Sequence, residues 1–552
     1  KKKINNGEFN FNYSSKNLVL NKLNLEFQKI KIISPELTFE EKNNFYLIKG
    51  VVKNLETKVP DEITKILLKK KLFENIILSS ANDLSFKLSK KYKISELKID
   101  SKINLKEATL NQENKIIKNF IPNYNNKLNF ANHKININYA DKINIKGEGD
   151  FFIEKEIDRI NYDLVFFIDD RIKYNLETSI NNIPINFNLI NFKKEKKAAG
   201  NFKIKGSKNK KGSIINSSTL KIQNNLFEIY DLKFNTKNQI SSFEKINFNF
   251  VNNENRNNDL LIKKNKNDYI LKGKNFDISK IIEEILIGEK NENKNLFDQK
   301  KRIFKVQFNK NYIDDDYFIK NLNGNFTFKN NEIQEMELTS NFNANKNVSL
   351  SIKSRNNNKI TAFYSDIAEP FVKKFKFIKG FEGGKIDFTS IKNNNETNSK
   401  IKIYDFKLKQ LPVLTKILTL ASLQGIADIL SGEGVRFDEF EMNFKNKKNL
   451  MEILEIYSIG PAVSILMEGY LQGDDIISLK GTLVPATTIN KFVGSLPVLG
   501  EILVGKKTGE GVFGVSFKIK GPPNDLRTTV NPIKTLTPRF ITRTLEKIKK
   551  TN

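Results

Sequence analysis

His133-Lys134-Ile135-Asn136-Ile137-Asn138-Tyr139, followed by Asp141-Lys142-Ile143-Asn144-Ile145, decides how the chain is read. Apolar and polar residues alternate here with a period of two, the signature of a half-buried strand. One face collects Ile135, Ile137, Tyr139, Ile143 and Ile145, and the other carries Lys and Asn. The pattern extends in both directions. Phe9, Phe11 and Tyr13 alternate with Asn, then Leu18 and Leu20, then Leu23, Leu25 and Phe27. Downstream, Ile183, Ile185, Phe187 and Leu189 alternate with Pro184, Asn186 and Asn188, and Phe202 and Ile204 lead into Gly206. Such segments recur roughly every 8–14 residues between Asn, Asp, Lys and Gly clusters, an all-β meander signature. A sheet of this kind buries one face and wets the other.

The pattern continues across most of residues 1–400, whereas a single sandwich or barrel usually ends by about 200–250 residues. The expected fold is therefore mainly β: a long antiparallel meander curled into an elongated groove, with the apolar faces pointing inward and a few short helices. No strict sequence repeat is present, which argues against a leucine-rich or propeller solenoid. Helical interruptions are expected near 60–73, 277–287 and 365–375, with a longer one from Pro412 to Leu430. After the Asn-rich stretch Lys392–Lys400, Gly and Pro become frequent, so the boundary between two domains, 1–400 and 401–552, is placed there.

Composition narrows the chemistry. The 552 residues include no Cys and one His, which removes disulfides, thiolate metal sites and Cys nucleophiles, and leaves His133 without a partner for a metal cluster or a triad. His133 reads as a strand-edge residue. No cofactor or metal is expected, and no enzymatic activity: acidic residues are plentiful, but nothing marks out a carboxylate pair. The net charge of +30 is spread as scattered Lys. Codon bias and solubility account for much of it, attraction to anionic head groups is the functional reading, and nucleic acid is disfavoured because Arg is scarce.

Two phosphate-loop look-alikes fail on context. Gly500-Glu-Ile-Leu-Val-Gly505-Lys506-Lys507 has Lys where a magnesium-binding hydroxyl belongs, and Gly509-Glu-Gly511-Val-Phe-Gly514 precedes alternating Val515, Phe517 and Ile519, a strand where a dinucleotide fold needs a helix. The stretch reads as a glycine-rich hairpin. Pro538–Lys550 carries Ile541, Leu545 and Ile548 on one helical stripe with Arg543, Lys547, Lys549 and Lys550 around it, either an ordinary terminal helix or one that touches an anionic membrane.

The last 150 or so residues hold an ordered series of motifs: Ala421-Ser422-Leu423-Gln424-Gly425, Gly432-Glu433-Gly434-Val435, Gly460-Pro461-Ala462, then Gly481-Thr482-Leu483-Val484-Pro485-Ala486 with Asn490. Leu496-Pro497-Val498-Leu499-Gly500, the hairpin with Gly511 and Gly514, Gly521-Pro522 and Val530-Asn531-Pro532 complete it. This series resembles the AsmA-like C-terminal region of bacterial envelope proteins. The resemblance implies a bridge-like lipid-transfer architecture, anchored in the inner membrane and reaching across the periplasm of a Gram-negative bacterium, that moves phospholipid toward the outer membrane. It implies phospholipids, the membrane and other envelope proteins as partners. The start at Lys1 leads to the expectation that the anchor lies outside this sequence. The groove residues expected to meet lipid are Ile143, Ile145, Ile183, Ile185, Phe187, Leu189, Phe202 and Ile204. The helix around Leu414–Leu430 is expected to cover or end the groove. The alternative is a β-rich scaffold or outer-membrane assembly factor that carries no lipid.

Overall fold

The computed structural model describes the chain from Ile4 to Ile533, except residues 28–29, 61–72, 112, 114, 123, 283–295, 344, 356–357, 375–379, 394–395, 410–414, 418, 420–433, 448, 474–475, 486–513 and 523–524. The protein is mainly β, as the alternation predicts. It divides into two compact units, one of residues 1–281 with 290–300, the other of residues 282–289 with 301–552. This division falls near residue 300 rather than 400. Strand Glu396–Leu408 runs through the expected boundary, paired on one side with Phe381–Asn393 and on the other with Val435–Lys447. The change in composition near residue 400 marks richer connections within one sheet.

In each unit successive strands pair antiparallel in chain order. Among the described residues Ile4–Ser14 pairs only with Asn17–Phe27, so the sheet has a free edge there and does not close into a barrel. In the second unit Arg527–Ile533 pairs, among the described residues, only with Gly514–Gly521. Among the described residues the one parallel contact is an isolated bridge, Ile240 to Phe297. Several strands are bulged where a non-glycine residue takes a left-handed conformation, among them Lys22 (φ 52°) and Asn132 (φ 54°). Each bulge bends its strand and strengthens the local twist.

Helices are short. Glu369–Val372 lies within the expected 365–375 interruption, and residues 279–282 are helical within the expected 277–287. Lys115–Phe120 is a helix that the alternation did not disclose. The expected helix near 60–73 lies almost wholly outside the described residues, as does most of Pro412–Leu430, of which residues 415–417 and 419 are helical. No described helix is long and apolar enough to cross a membrane.

Because a meander reverses at every strand, connections alternate between the two edges of its sheet. In the first unit, residues 59–72, 112–126 and 180–199 all leave the same edge, while 15–16, 42–44, 90–93, 140–141 and 168–171 turn on the other. In the second unit the strands flanking 366–380, 409–434 and 486–513 end on one side of the sheet, and those flanking 330–331, 356–357, 394–395, 448–449 and 473–475 end on the other. Each sheet has one lip of tight turns and one lip rich in long connections.

Candidate functional site

The pairing registers align the apolar residues into rows that cross strand after strand. One row in the first unit runs Leu20–Leu37–Gly50–Leu84–Ile99–Tyr139–Ile143–Phe166–Ile172. A second runs Ile103–Ile135–Gly147–Tyr162–Leu176–Ile204–Ser218–Ile229–Ile246–Ile262–Leu271. Every member of both rows is only half-buried. A face packed beneath a second layer would hold its side chains out of water. These residues are flanked by their row neighbours and keep part of their surface in water.

The second unit carries a corresponding row through all of its strands: Val306–Gly324–Leu338–Leu350–Phe363–Phe388–Ile401–Met442–Ile456–Met467–Gly481–Phe517–Val530. Every member is apolar or glycine. Gly481 has a packing reason: a Cβ there would lie 2.7 Å from Met467 Cγ and 2.8 Å from the Phe517 ring, so its two row neighbours meet over it. Here burial is deeper, with Val306, Phe363, Ile456 and Phe517 buried. Near the C-terminal end both faces of the sheet bury apolar groups, since Tyr457, Leu466 and Val484 cluster on the face opposite Ile456 and Met467.

Of the expected lipid-facing residues, Ile143, Ile145, Phe202 and Ile204 share the apolar face of the first sheet. Ile145 sits between Ile137 and Leu164, and Phe202 between Thr178 and Leu220. Ile183, Ile185, Phe187 and Leu189 do not extend that face as a strand. They belong to the connection 180–199, which leaves the main sheet and forms its own hairpin, Ile185–Phe187 with Phe192–Lys194, closed by the 3-10 turn Asn188–Ile190. Leu189 is exposed on that turn, while Ile183 and Ile185 are buried.

The hairpin folds onto the apolar face. Phe187 and Phe192 lie 5.4 Å and 5.0 Å from Phe227, and Phe192 lies 5.7 Å from Phe250, ring centre to ring centre. Helix Lys115–Phe120, from the neighbouring long connection, adds Phe120 at 5.2 Å from Phe187. Ile183 joins Tyr124, Phe151 and Ile153 in a buried cluster. Two charged residues lock the hairpin's base. The Asp158 carboxylate accepts the backbone N–H groups of Asn181 (2.8 Å), Asn182 (3.0 Å) and Ile183 (3.1 Å). The Lys194 ammonium donates to the carbonyls of Asn181 (2.9 Å), Ile183 (2.9 Å) and Glu195 (3.2 Å). Burial pushes the Lys194 ammonium below the usual lysine range, opposed by the charges of Asp158 and Glu195. Neither residue stands out by type. Asp158, however, occupies the apolar register that Ile160, Tyr162 and Leu164 continue, and a charged residue at such a position was the available signal.

His133 is buried in the middle of the first sheet, not at a strand edge. Its Nδ1 lies 3.2 Å from the Tyr162 hydroxyl and its Nε2 lies 3.0 Å from the Asp150 carbonyl. Gly149 leaves the room, since a Cβ there would meet the imidazole at 2.3 Å. Burial lowers the His133 pKa and raises that of Tyr162 to about 12, so both are neutral near pH 7. This pair is a satisfied polar contact on the apolar face. Among the described residues no group of three or more acidic or histidine side chains is arranged to hold a metal.

Of the C-terminal motif residues, Gly481 and Pro485 lie in strand Ile476–Pro485, Gly514 and Gly521 bound the next strand, and Asn531 and Pro532 pair with Ser516 and Val515. The strand after the glycine-rich stretch is as expected, where a nucleotide loop would need a helix. Gly425, Asn490, Pro497, Gly500, Gly511 and the 538–550 segment lie outside the described residues. No family model, curated protein or solved structure matches this chain.

Proposed function

We propose that the chain is a non-enzymatic lipid carrier that holds acyl chains along the apolar faces of its two sheets and conducts phospholipid across a bacterial envelope. The observation that carries this reading is the pair of rows, mostly half-buried Ile, Leu, Phe and Tyr with Gly50, Gly147 and Ser218 between them, that runs from Leu20 to Ile172 and from Ile103 to Leu271. A methylene removed from water gains about 0.8 kcal/mol, so a row of such side chains holds an acyl chain wherever it lies. Similar residues at successive positions keep the affinity nearly even, which lets a chain slide without a deep trap. Helix Lys115–Phe120 and the 185–194 hairpin cover part of that face, and in the first unit the opposite face is rich in Lys and Asn. The resemblance of the C-terminal motifs to the AsmA-like region supports the same reading and the periplasmic, inner-membrane-anchored setting. Native mass spectrometry of the purified chain, with lipid extraction, tests it. Co-purifying phospholipid supports a carrier, whereas lipid-free protein that takes up none from vesicles supports a scaffold.

A further inference from the structure

Polar residues interrupt the apolar face of the first unit at several positions, and at one of them they gather into a cluster. Asn54, Ser80, Asn82 and Ser101 stand side by side on three adjacent strands, in the register that carries Val52, Leu84, Ile99 and Ile103 above and below them. They form a connected set. Ser80 Oγ donates to Asn54 Oδ1, Asn82 Nδ2 donates to Ser80 Oγ at 2.8 Å and to the Val52 carbonyl at 3.0 Å, and Asn54 Nδ2 reaches the Leu78 carbonyl at 3.4 Å. Two valences stay open: Asn82 Oδ1 and the Ser101 hydroxyl, directly across the ladder from each other, bond to no other described residue. Ser101 is 9% exposed and Asn82 half-buried, so both are largely withdrawn from water.

A hydrogen-bonding group left unpaired at such a position costs about 1–3 kcal/mol once water is displaced. A ligand of pure hydrocarbon would impose that cost here. An ester carbonyl or hydroxyl would remove it, accepting from Ser101 or donating to Asn82. The set is uncharged, and the alternating register places Lys53 and Asp83 on the opposite face. It therefore suits a neutral polar group rather than a phosphate. We infer that Asn54, Ser80, Asn82 and Ser101 form a binding station for the neutral ester or hydroxyl region of an acylglycerol lipid, whose tails lie along the apolar rows on either side. This rests on the lipid-carrier reading and sharpens it, because it names the part of the ligand that stops at a defined place.

The test compares two pyrene-labelled probes on the full chain: a diacylglycerol, with two esters and a free hydroxyl, and dodecylpyrene, with no polar group. Asn82→Leu combined with Ser101→Ala is expected to weaken the diacylglycerol by about tenfold, the loss of one to two hydrogen bonds, and to leave dodecylpyrene unchanged or tighter. Asn82→Ser, which keeps a hydrogen-bonding group, is expected to retain the preference and guards against a variant that merely misfolds. Equal weakening of both probes in the double variant, or no change in either, overturns the station while the carrier reading stands. Wild-type protein that takes up neither probe overturns both.

Discussion

Ile145 and Phe227 lie on the same face of the same sheet and meet different surroundings. Ile145 is flanked by Ile137 and Leu164 and is half-buried. Phe227 is 6% exposed, with the rings of Phe187, Phe192, Phe248 and Phe250 around it. The strands around the two residues alternate alike. What separates them is the connection 180–199, which folds back over the sheet near Phe227 and does not reach Ile145. Here the strands build the apolar face and the connection 180–199 closes part of it.

The largest break in this comparison is expected from Phe227→Ala. Loss of a buried aromatic ring costs about 3–5 kcal/mol. Ile145→Ala should cost less, since Ile145 is a smaller side chain and keeps part of its surface in water. Urea denaturation of the two variants measures the gap; equal losses would mean that Ile145 is covered after all. Asp158→Ala tests the lock on the hairpin. It leaves the N–H groups of Asn181, Asn182 and Ile183 without their acceptor and the Lys194 ammonium without its nearest opposing charge, at a cost of about 2–4 kcal/mol. The loss should be accompanied by faster hydrogen exchange across 180–199, with 84–105 unchanged.

A smaller effect is expected with pH. Burial holds the folded His133 pKa below its unfolded value, so the folded form favours the neutral ring. That contribution is fully present above the unfolded pKa, near 6.5, and is lost as pH falls below it, because the unfolded chain then binds the extra proton. Urea midpoints of the wild type should drop between pH 7 and pH 5, and His133→Gln should flatten the drop. A wild-type curve without slope in that window would remove His133 from the account.

Much of the fold was legible in the alternation. Ile135–Tyr139 and Ile143–Ile145 pair as two neighbouring strands with their apolar residues aligned. The same rule failed at Ile183–Leu189, where a period of two is broken after Phe187 by a 3-10 turn and a left-handed Asn191 (φ 50°). Alternation reports that one face of a segment is apolar, and both a groove strand and a small covering hairpin meet that condition. Near residue 400, where the composition shifts, strand Glu396–Leu408 pairs with a strand on either side. The polar station was overlooked because Asn54, Asn82 and Ser101 are of types common throughout this chain. They become visible only when pairing puts them side by side.

The central claim is that the open rows hold lipid and the opposite face does not. Photo-crosslinking in membranes tests it most directly, with a benzophenone side chain placed singly at Ile145 or Ile204 on the apolar face and at Lys146 or Lys203 on the other. The account predicts phospholipid adducts from Ile145 and Ile204 and background levels from Lys146 and Lys203. Adducts at all four positions alike, or at none while the protein remains folded, would contradict it.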